Sequence, residues 1–470
     1  MKNDKLKSII ENKDNPAGLR LSRRELLEVG LLSFATRVAL PGAVTSILTM
    51  TEKALAADTT PMMPFVTLSL SGGAALHGNF VVKNSGGDLL SSYSKLGLGK
   101  AGFDITRVMG ADFASSSQFH KGVMSVASAN ALSKARLAAL CTNTANDTNA
   151  LAASRPFYDL SGPLEKAGLV GSILPGVHFG SASENLRTVF SAPNTTLNIA
   201  TLSDLFAALN YSSALVDGGL LSKQQKGLLS SFVAKMTTAQ AAKLNSSKDG
   251  VKVALQEAGI KSSDIIAAGG ASGVDSRKNA AVQAVYGINE TTALNNIESM
   301  TSGVVYNALK GNIAHGRITL GGYDYHAPGL RSAADAKDFA AGVHVGKMIE
   351  LAHRLQKPLF ILITTDGACV SETSDSSASI WSSDYSSSVQ LIISYDPTGK
   401  IKASGTQIGH YLDDQSVDTT TLVGTRPDYV AAAILANYLN LNNKMGLFKQ
   451  LAPATLQSDD VEKVVKLHAA

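Results

Sequence analysis

Short apolar runs alternate along the chain with longer stretches whose apolar positions recur at helical spacing, the pattern of strands interleaved with helices. Phe65–Leu70 (FVTLSL) is β-rich and empties into Ser71-Gly72-Gly73, so it predicts a buried strand feeding a loop. Residues 125–136 carry small and apolar side chains at helical spacing and lead straight into 137–142, a second strand. Residues 143–149 (NTANDTN) follow as a polar loop, and 197–200 give a weaker strand. From about 201 to 309 the pattern is helical, with Ser222, Ser247 and Ser262 at helix starts and a glycine-rich break at 269–273. With no strand pattern and no Pro-rich boundary, this stretch predicts a helical layer or insertion rather than a separate domain.

Downstream, 317–320 reads as a strand that runs into 321–328 (GGYDYHAP), and 333–356 as a long helix with Phe339, Val343, Met348 and Leu351 on its periodic positions. Residues 358–365 (PLFILITT) are the strongest strand and end at Asp366-Gly367. Residues 389–395 (VQLIISY) are another strand, and 428–441 the last strongly apolar helix. This alternation predicts an α/β fold with a largely parallel central sheet flanked by helices. In such sheets ligands gather outside the carboxyl ends of the strands. The loops that begin at Gly72, Asn143, Gly321 and Asp366 are therefore the places to search.

The first 57 residues follow a different plan. A polar, lysine-rich start leads to LSRRELL with paired Arg23 and Arg24, then a moderately apolar run, then ALAA at 54–57. That order is the tripartite plan of an export signal, here of the twin-arginine type that carries folded cargo. The alternative is an amphipathic N-terminal helix packed on the body. The export reading predicts cleavage after Ala56 or Ala57, a mature body over 58–470 and a periplasmic or extracellular location. Its partner is the twin-arginine export machinery. Arg37 and Pro41 interrupt the apolar run, which argues against a permanent anchor, and no other segment offers the ~18 apolar residues of a membrane span.

Composition narrows the function classes. The chain has 470 residues, 44% hydrophobic and 17% charged, enough for a large core. The first 56 residues hold nine of its 42 Lys/Arg and six of its 38 Asp/Glu, so the body carries 33 basic against 32 acidic residues. A nearly neutral body is not that of a nucleic-acid binder. Cys141 and Cys369 each follow an apolar run and are read as buried free thiols, with a single bridge as the alternative that export would favour.

Candidate chemistry clusters after the strands. Asp324 and His326 lie two apart, so an extended chain turns both to one face and Tyr323 and Tyr325 to the other. Such a pair can offer an oxygen and a nitrogen to one divalent ion, or simply decorate a tight turn. Asp366 ends the strongest strand and serves either as a ligand or base or as an acceptor for loop amides. Residues 373–388 read as a serine-rich loop holding Trp381, the only tryptophan, with Asp384 its most interesting acid. Thr148, after the second strand, and Ser371 carry hydroxyls near the same edge. His77 follows the first strand, and His410 sits in QIGHYLDD. His120, His178, His315, His344, His353 and His468 are read as non-ligands. GLGKAG at 97–102 lacks the preceding strand of a dinucleotide site and reads as a plain loop.

Together the twin-arginine leader, the strand ending in Gly-Gly, strand-GGYDYH, strand-TTDG and a later Asp before an apolar strand resemble a family of exported bacterial proteins of unknown function. That family is related to the alkaline phosphatase and sulfatase superfamily. The resemblance spans about 64 to 446 and is most specific at GGYDYH. It implies an alkaline-phosphatase-like fold in which Asp and His at strand ends hold one or two divalent metals while a hydroxyl attacks a phosphate or sulfate ester. Asp324 and His326 match the central motif, Asp366 matches an acid ending a core strand without its usual arginine, and Asp384 matches the Asp of an Asp-His-Gly whose His is Tyr385 here. The acid that usually follows Gly-Gly is replaced by Ala74 and Ala75; His77 or His410 could stand in. The resemblance thus implies a degenerate site for zinc, calcium or magnesium. The expected function is binding of an envelope ligand or partner, with a metal-dependent ester hydrolase (Thr148 or a serine near Ser371 the nucleophile) and a structural envelope protein as alternatives.

Overall fold

The structure, a computed structural model, describes residues 62–74, 76–90, 104–143, 174–180, 196–209, 271–323, 331–365, 368–371, 381–385, 387–413, 416–425, 427–452 and 459–469, with four single helical positions between 231 and 239. The leader, the GLGKAG loop, Thr148, Asp324, His326 and Asp366 lie outside them. Two compact units divide the chain. One comprises Thr60–Leu169, Pro175–Leu205 and Asp275–Ala470 and carries the sheet. The other comprises Met1–Thr59, Val170–Leu174 and Phe206–Val274; its described residues include the short helix Ala271–Val274.

The strands in chain order are β1 (Phe65–Leu70), β2 (Ile105–Val108), β3 (Ala111–Ala114), β4 (Ala135–Asn143), β5 (Leu174–Phe179), β6 (Thr196–Ile199), β7 (Ile313–Leu320), β8 (Leu359–Thr365), β9 (Ala368–Ser371), β10 (Trp381–Tyr385), β11 (Ser387–Tyr395), β12 (Lys402–Ala403), β13 (Gln407–Ile408) and β14 (Leu467–His468). The helices that matter below are α1 (Gln118–Val126), α2 (Ala129–Ser133), α3 (Leu202–Leu209), α4 (Ala280–Tyr286), α5 (Ile297–Leu309), α6 (Arg331–Leu355), α7 (Leu422–Thr425) and α8 (Pro427–Leu441). Eight strands form the central sheet in the order β13-β4-β11-β8-β1-β7-β5-β6. β7, β1 and β8 run parallel, as do β13 with β4 and β5 with β6. β11 runs antiparallel to both β4 and β8. The carboxyl ends of β7, β1, β8, β4 and β13 therefore share one edge. The protein has mixed α/β content around a largely parallel sheet.

Both faces of β1 are buried, as a central parallel strand requires. On one face Phe65, Phe360 and Tyr438 of α8 meet with ring centroids 4.8–5.3 Å apart. Ala431, Ala432, Ala433 and Ala436 keep α8 slim where it covers the sheet. The Tyr438 hydroxyl donates to Met63 O at 2.6 Å, and Asn437 Oδ1 accepts from the amides of Lys466 and Leu467, which fastens the end of the chain to α8. On the other face α5 lies against β7, so closely that a Cβ on Gly316 would stand 2.5 Å from Val304 Cγ1. α1 crosses α6 at glycines: a Cβ on Gly122 would meet Phe339 O at 2.2 Å, and one on Gly342 would meet Phe119 O at 2.0 Å. Missing side chains, not loop freedom, explain these residues.

Several expectations need correction. The helix expected over 125–136 is two helices, α1 beginning at Gln118 and α2 ending at Ser133, and β4 starts at Ala135. Ser117 and Ser128 set the two starts by accepting from the amides of His120 and Ala131, the ordinary N-cap contact. The strand expected at 317–320 begins at Ile313 and runs through His315 and Gly316, every residue up to Thr319 buried. The stretch 373–388, read as a loop, contains β10 and the first residues of β11; β10 pairs antiparallel with β9, so Asp384 lies on a strand. β5 escaped notice because Pro175 and Gly176 break its apolar pattern.

Candidate functional site

The carboxyl edge is tied together by backbone bonds among the loops that leave β1, β7 and β8. Ser71 N–H donates to Leu320 O at 2.9 Å and Tyr323 N–H donates to Ser71 O at 3.0 Å, so the β1 and β7 loops continue side by side beyond the strands. Gly72 and Gly73 have φ of 116° and 97°, a backbone only glycine adopts freely, and this bend brings Ala74 over β8. There the Ala74 N–H donates to Thr365 Oγ1 at 2.7 Å, fully buried. Gln390 of β11 pairs its side-chain amide with the backbone N–H and C=O of Thr365, at 2.9 and 3.1 Å. Ala74, where the resemblance leads one to expect an acid, is therefore a packed floor residue.

The opening of the GGYDYH loop is clamped from α6. Lys337 Nζ donates to Gly321 O at 3.1 Å and sits 5.5 Å from the centre of the Tyr323 ring. The Tyr323 hydroxyl donates in return to Lys337 O at 3.2 Å. Tyr323 is buried and burial pushes its phenol above the ordinary range, so it acts as a neutral anchor. Asp324 is the next residue in the chain. Asp324, His326, Asp366 and Thr148 lie outside the described residues, as do the side chains of His77, Cys369, Ser371, Trp381 and Asp384. What the backbone fixes is that Asp324 follows β7 by four residues, Asp366 follows β8 directly, Thr148 follows β4 by five and Asp384 sits on the β9–β10 hairpin that leaves β8. These attachments all belong to one edge.

His410 comes to the same edge, two residues past β13, which is parallel to β4. Gly409 before it has φ of 75°, and a Cβ there would stand 2.9 Å from Cys141 O. The His410 Nδ1 is buried without a hydrogen-bond partner among the described residues. Cys141 itself is free and buried, with its thiol pushed far above the ordinary range by burial. It is no nucleophile.

A polar ladder beneath the edge went unread in the sequence. Thr67 and Ser69 of β1, His315, Arg317 and Thr319 of β7 and Thr364 of β8 share one face by register, all buried. His315 Nε2 bonds the Thr67 hydroxyl at 2.8 Å, and Arg317 Nε donates to Ser69 Oγ at 3.2 Å. His178 of β5 donates from Nδ1 to Asn198 Oδ1 at 2.9 Å and accepts at Nε2 from the Thr319 hydroxyl at 3.0 Å, which uses both nitrogens of a neutral ring. Burial, then the Arg317 charge, lowers His178 to about 4 against the pull of the Asn198 bond. Burial, Arg317 and His178 lower His315 to about 3. Both rings stay neutral beside the Arg317 guanidinium. The readable signal was polar residues at alternate positions, His315-x-Arg317-x-Thr319, opposite Thr67-x-Ser69 in strands that must be buried.

Among the described residues no three His, Cys, Asp or Glu side chains are grouped so as to hold a metal ion, and no helix is long and apolar enough to cross a membrane. The chain matches no family model, and neither a curated protein nor a solved structure matches it.

Proposed function

We propose that this is an alkaline-phosphatase-like protein, exported in folded form with 201–309 as a helical insertion. In this reading the carboxyl edge of its sheet binds a ligand or partner in the cell envelope through a degenerate metal site. The observation that carries the reading is Ala74. β1 lies between β7, which leads to Asp324 and His326, and β8, which leads to Asp366. An ion shared by those two strands would draw a ligand from the strand between them, and the residue there is a buried methyl group whose N–H is already engaged by Thr365. That donor set does not fit a full two-metal centre. Asp324, His326, Asp366 and Asp384 are the residues left to hold a single zinc, calcium or magnesium ion.

The test uses full-length protein folded in the cytoplasm and analysed for bound metal, then offered an aryl phosphate and an aryl sulfate with zinc, calcium or magnesium. Expected are substoichiometric metal and binding of an ester without turnover, weakened by Asp366→Ala. Stoichiometric metal that is lost on Asp324→Ala, together with turnover, overturns the reading in favour of a metal-dependent hydrolase. Absence of both metal and ester binding leaves the structural-envelope role in its place.

A further inference from the structure

At the opposite end of β4 an open groove of about 630 Å³ is lined by Arg107, Gly110, Arg136, Ser404, Gly405 and Thr406, within the range of about 300–1,000 Å³ usual for small-ligand sites. Seven residues of β4 separate Arg136 from Asn143, about 23 Å along the strand, so this groove is distinct from the carboxyl edge. Its wall is the turn between β2 and β3. Met109 and Gly110 have φ of 53° and 80°, a two-residue hairpin turn with both central residues left-handed. Methionine is an unusual choice there, and such strain collects at functional positions. The turn is held in place by Leu137 N–H, which donates to Met109 O at 3.0 Å.

Among the described residues the charges of the groove are only partly matched. Arg136 NH1 donates to Ser133 O at 2.8 Å and Ala135 O at 2.7 Å, which fixes the arm and leaves its other N–H groups without a protein partner among the described residues. Arg107 Nε donates to Gly110 O at 3.1 Å and lies 3.7 Å from Asp112 Oδ1. Asp112, however, is bonded through its other oxygen to Lys83 at 3.1 Å, so one carboxylate faces two cations, and no carboxylate among the described residues pairs with Arg136. Lys466 adds its stem beside Gly405. No carboxylate lines the groove, and the small residues Gly110, Ala403 and Gly405 leave its floor open to a ligand.

We infer that this groove is a binding site for a phosphate monoester. Two guanidiniums in a polar groove suit a compact oxyanion with several acceptor oxygens, and the Thr406 hydroxyl adds a neutral donor beside them, while the Ser404 hydroxyl is held by His468 Nε2 at 3.0 Å. The inference stands whether or not the carboxyl edge binds a metal or an ester.

The full chain, at low ionic strength and with a chelator present, is titrated with inorganic phosphate by calorimetry. Arg107→Gln and Arg136→Gln are each expected to weaken binding about tenfold or more, while Lys121→Gln, which removes an exposed cation on α1, leaves it unchanged. Arg107 is 71% exposed, so its substitution reads binding rather than folding. No binding up to about 10 mM phosphate, or equal binding by both arginine variants, overturns the inference. Competition by glycerol phosphate and capture on phosphatidic-acid vesicles then tell a soluble monoester from a lipid headgroup. Each must be lost with the two arginines, and either one surviving their removal also overturns the inference.

Discussion

Lowering the pH from 8 to 5 should destabilise the sheet through His178 and His315, and the size of the effect follows from their surroundings. Both are almost completely buried, and their folded pKa values, about 4 and about 3, lie below the ordinary 6.5 because of burial first and Arg317 second. Between those values and 6.5 the unfolded chain binds more protons than the folded one, so stability rises with pH across that window. The contribution is complete above about 6.5 and drains away as the pH falls. With about 1.4 kcal/mol per pKa unit, each ring costs at most about 2 kcal/mol at pH 5 relative to pH 8, and the pair about 4 kcal/mol. That is a large share of an ordinary domain's roughly 5–15 kcal/mol. Asp204, Asp418 and Glu350 have lowered pKa values in the fold, through hydrogen bonds in the two aspartates and through bonds that outweigh burial in Glu350, and they lose their stabilisation mainly below pH 5, outside the range compared. His120 and His344 are also lowered by burial, so the readout is a difference. Urea unfolding followed by circular dichroism at pH 8, 6.5 and 5 compares the natural chain with the double variant His178→Gln, His315→Gln. The natural chain should lose about 4 kcal/mol more between pH 8 and 5. Parallel pH profiles would refute the burial argument, because the same number of protons would then be taken up on unfolding with or without the rings.

Two further outcomes test the packing that holds the edge in place. Gly342→Ala would ordinarily help a helix by about 1 kcal/mol, but its Cβ would stand 2.0 Å from Phe119 O. Separating α1 from α6 should instead cost about 2–4 kcal/mol net, whereas Gly446→Ala, with open space around it, should stay within about 0.5 kcal/mol; thermal melts compare them. Thr365→Val keeps the shape of β8 but leaves the buried Ala74 N–H without its acceptor, a loss of about 1–3 kcal/mol. The same variant should speed hydrogen exchange at Ala74, read by NMR.

The strands that reveal themselves in sequence are those whose apolar run is unbroken. FVTLSL, PLFILITT and VQLIISY lie within a residue or two of β1, β8 and β11. β7 was legible only in its second half, because His315 and Gly316 read as non-strand residues until Thr67 and Val304 supply a hydrogen bond and a close neighbour. That information is carried by other elements, not by local pattern. The same holds at the edge. The sequence places Asp324 and Asp366 after strands, but nothing local says that β1 lies between those strands. Nor could it show that Ala74 is floor, because that depends on the bend at Gly72-Gly73 and on a threonine far along the chain.

Lateral spacing decides which residues of the edge can act together. Neighbouring strands lie about 4.8 Å apart, so β7 and β8, with β1 between them, place their loops about 10 Å apart. Side chains from those two loops can close on one ion only if they lean inward over β1, where Ala74 offers no ligand. β13 lies four strands from β1, about 19 Å, which is beyond the reach of an imidazole. His410 therefore cannot replace the missing acid at that centre, although it was a natural substitute on sequence grounds. Its neighbour is β4, whose loop carries Thr148. Along this edge β7 and β8, which lead to Asp324 and Asp366, lie on one side, and β13, which leads to His410, lies at the sheet margin. A ligand that engages both ends must be an extended molecule, and a point ion cannot be.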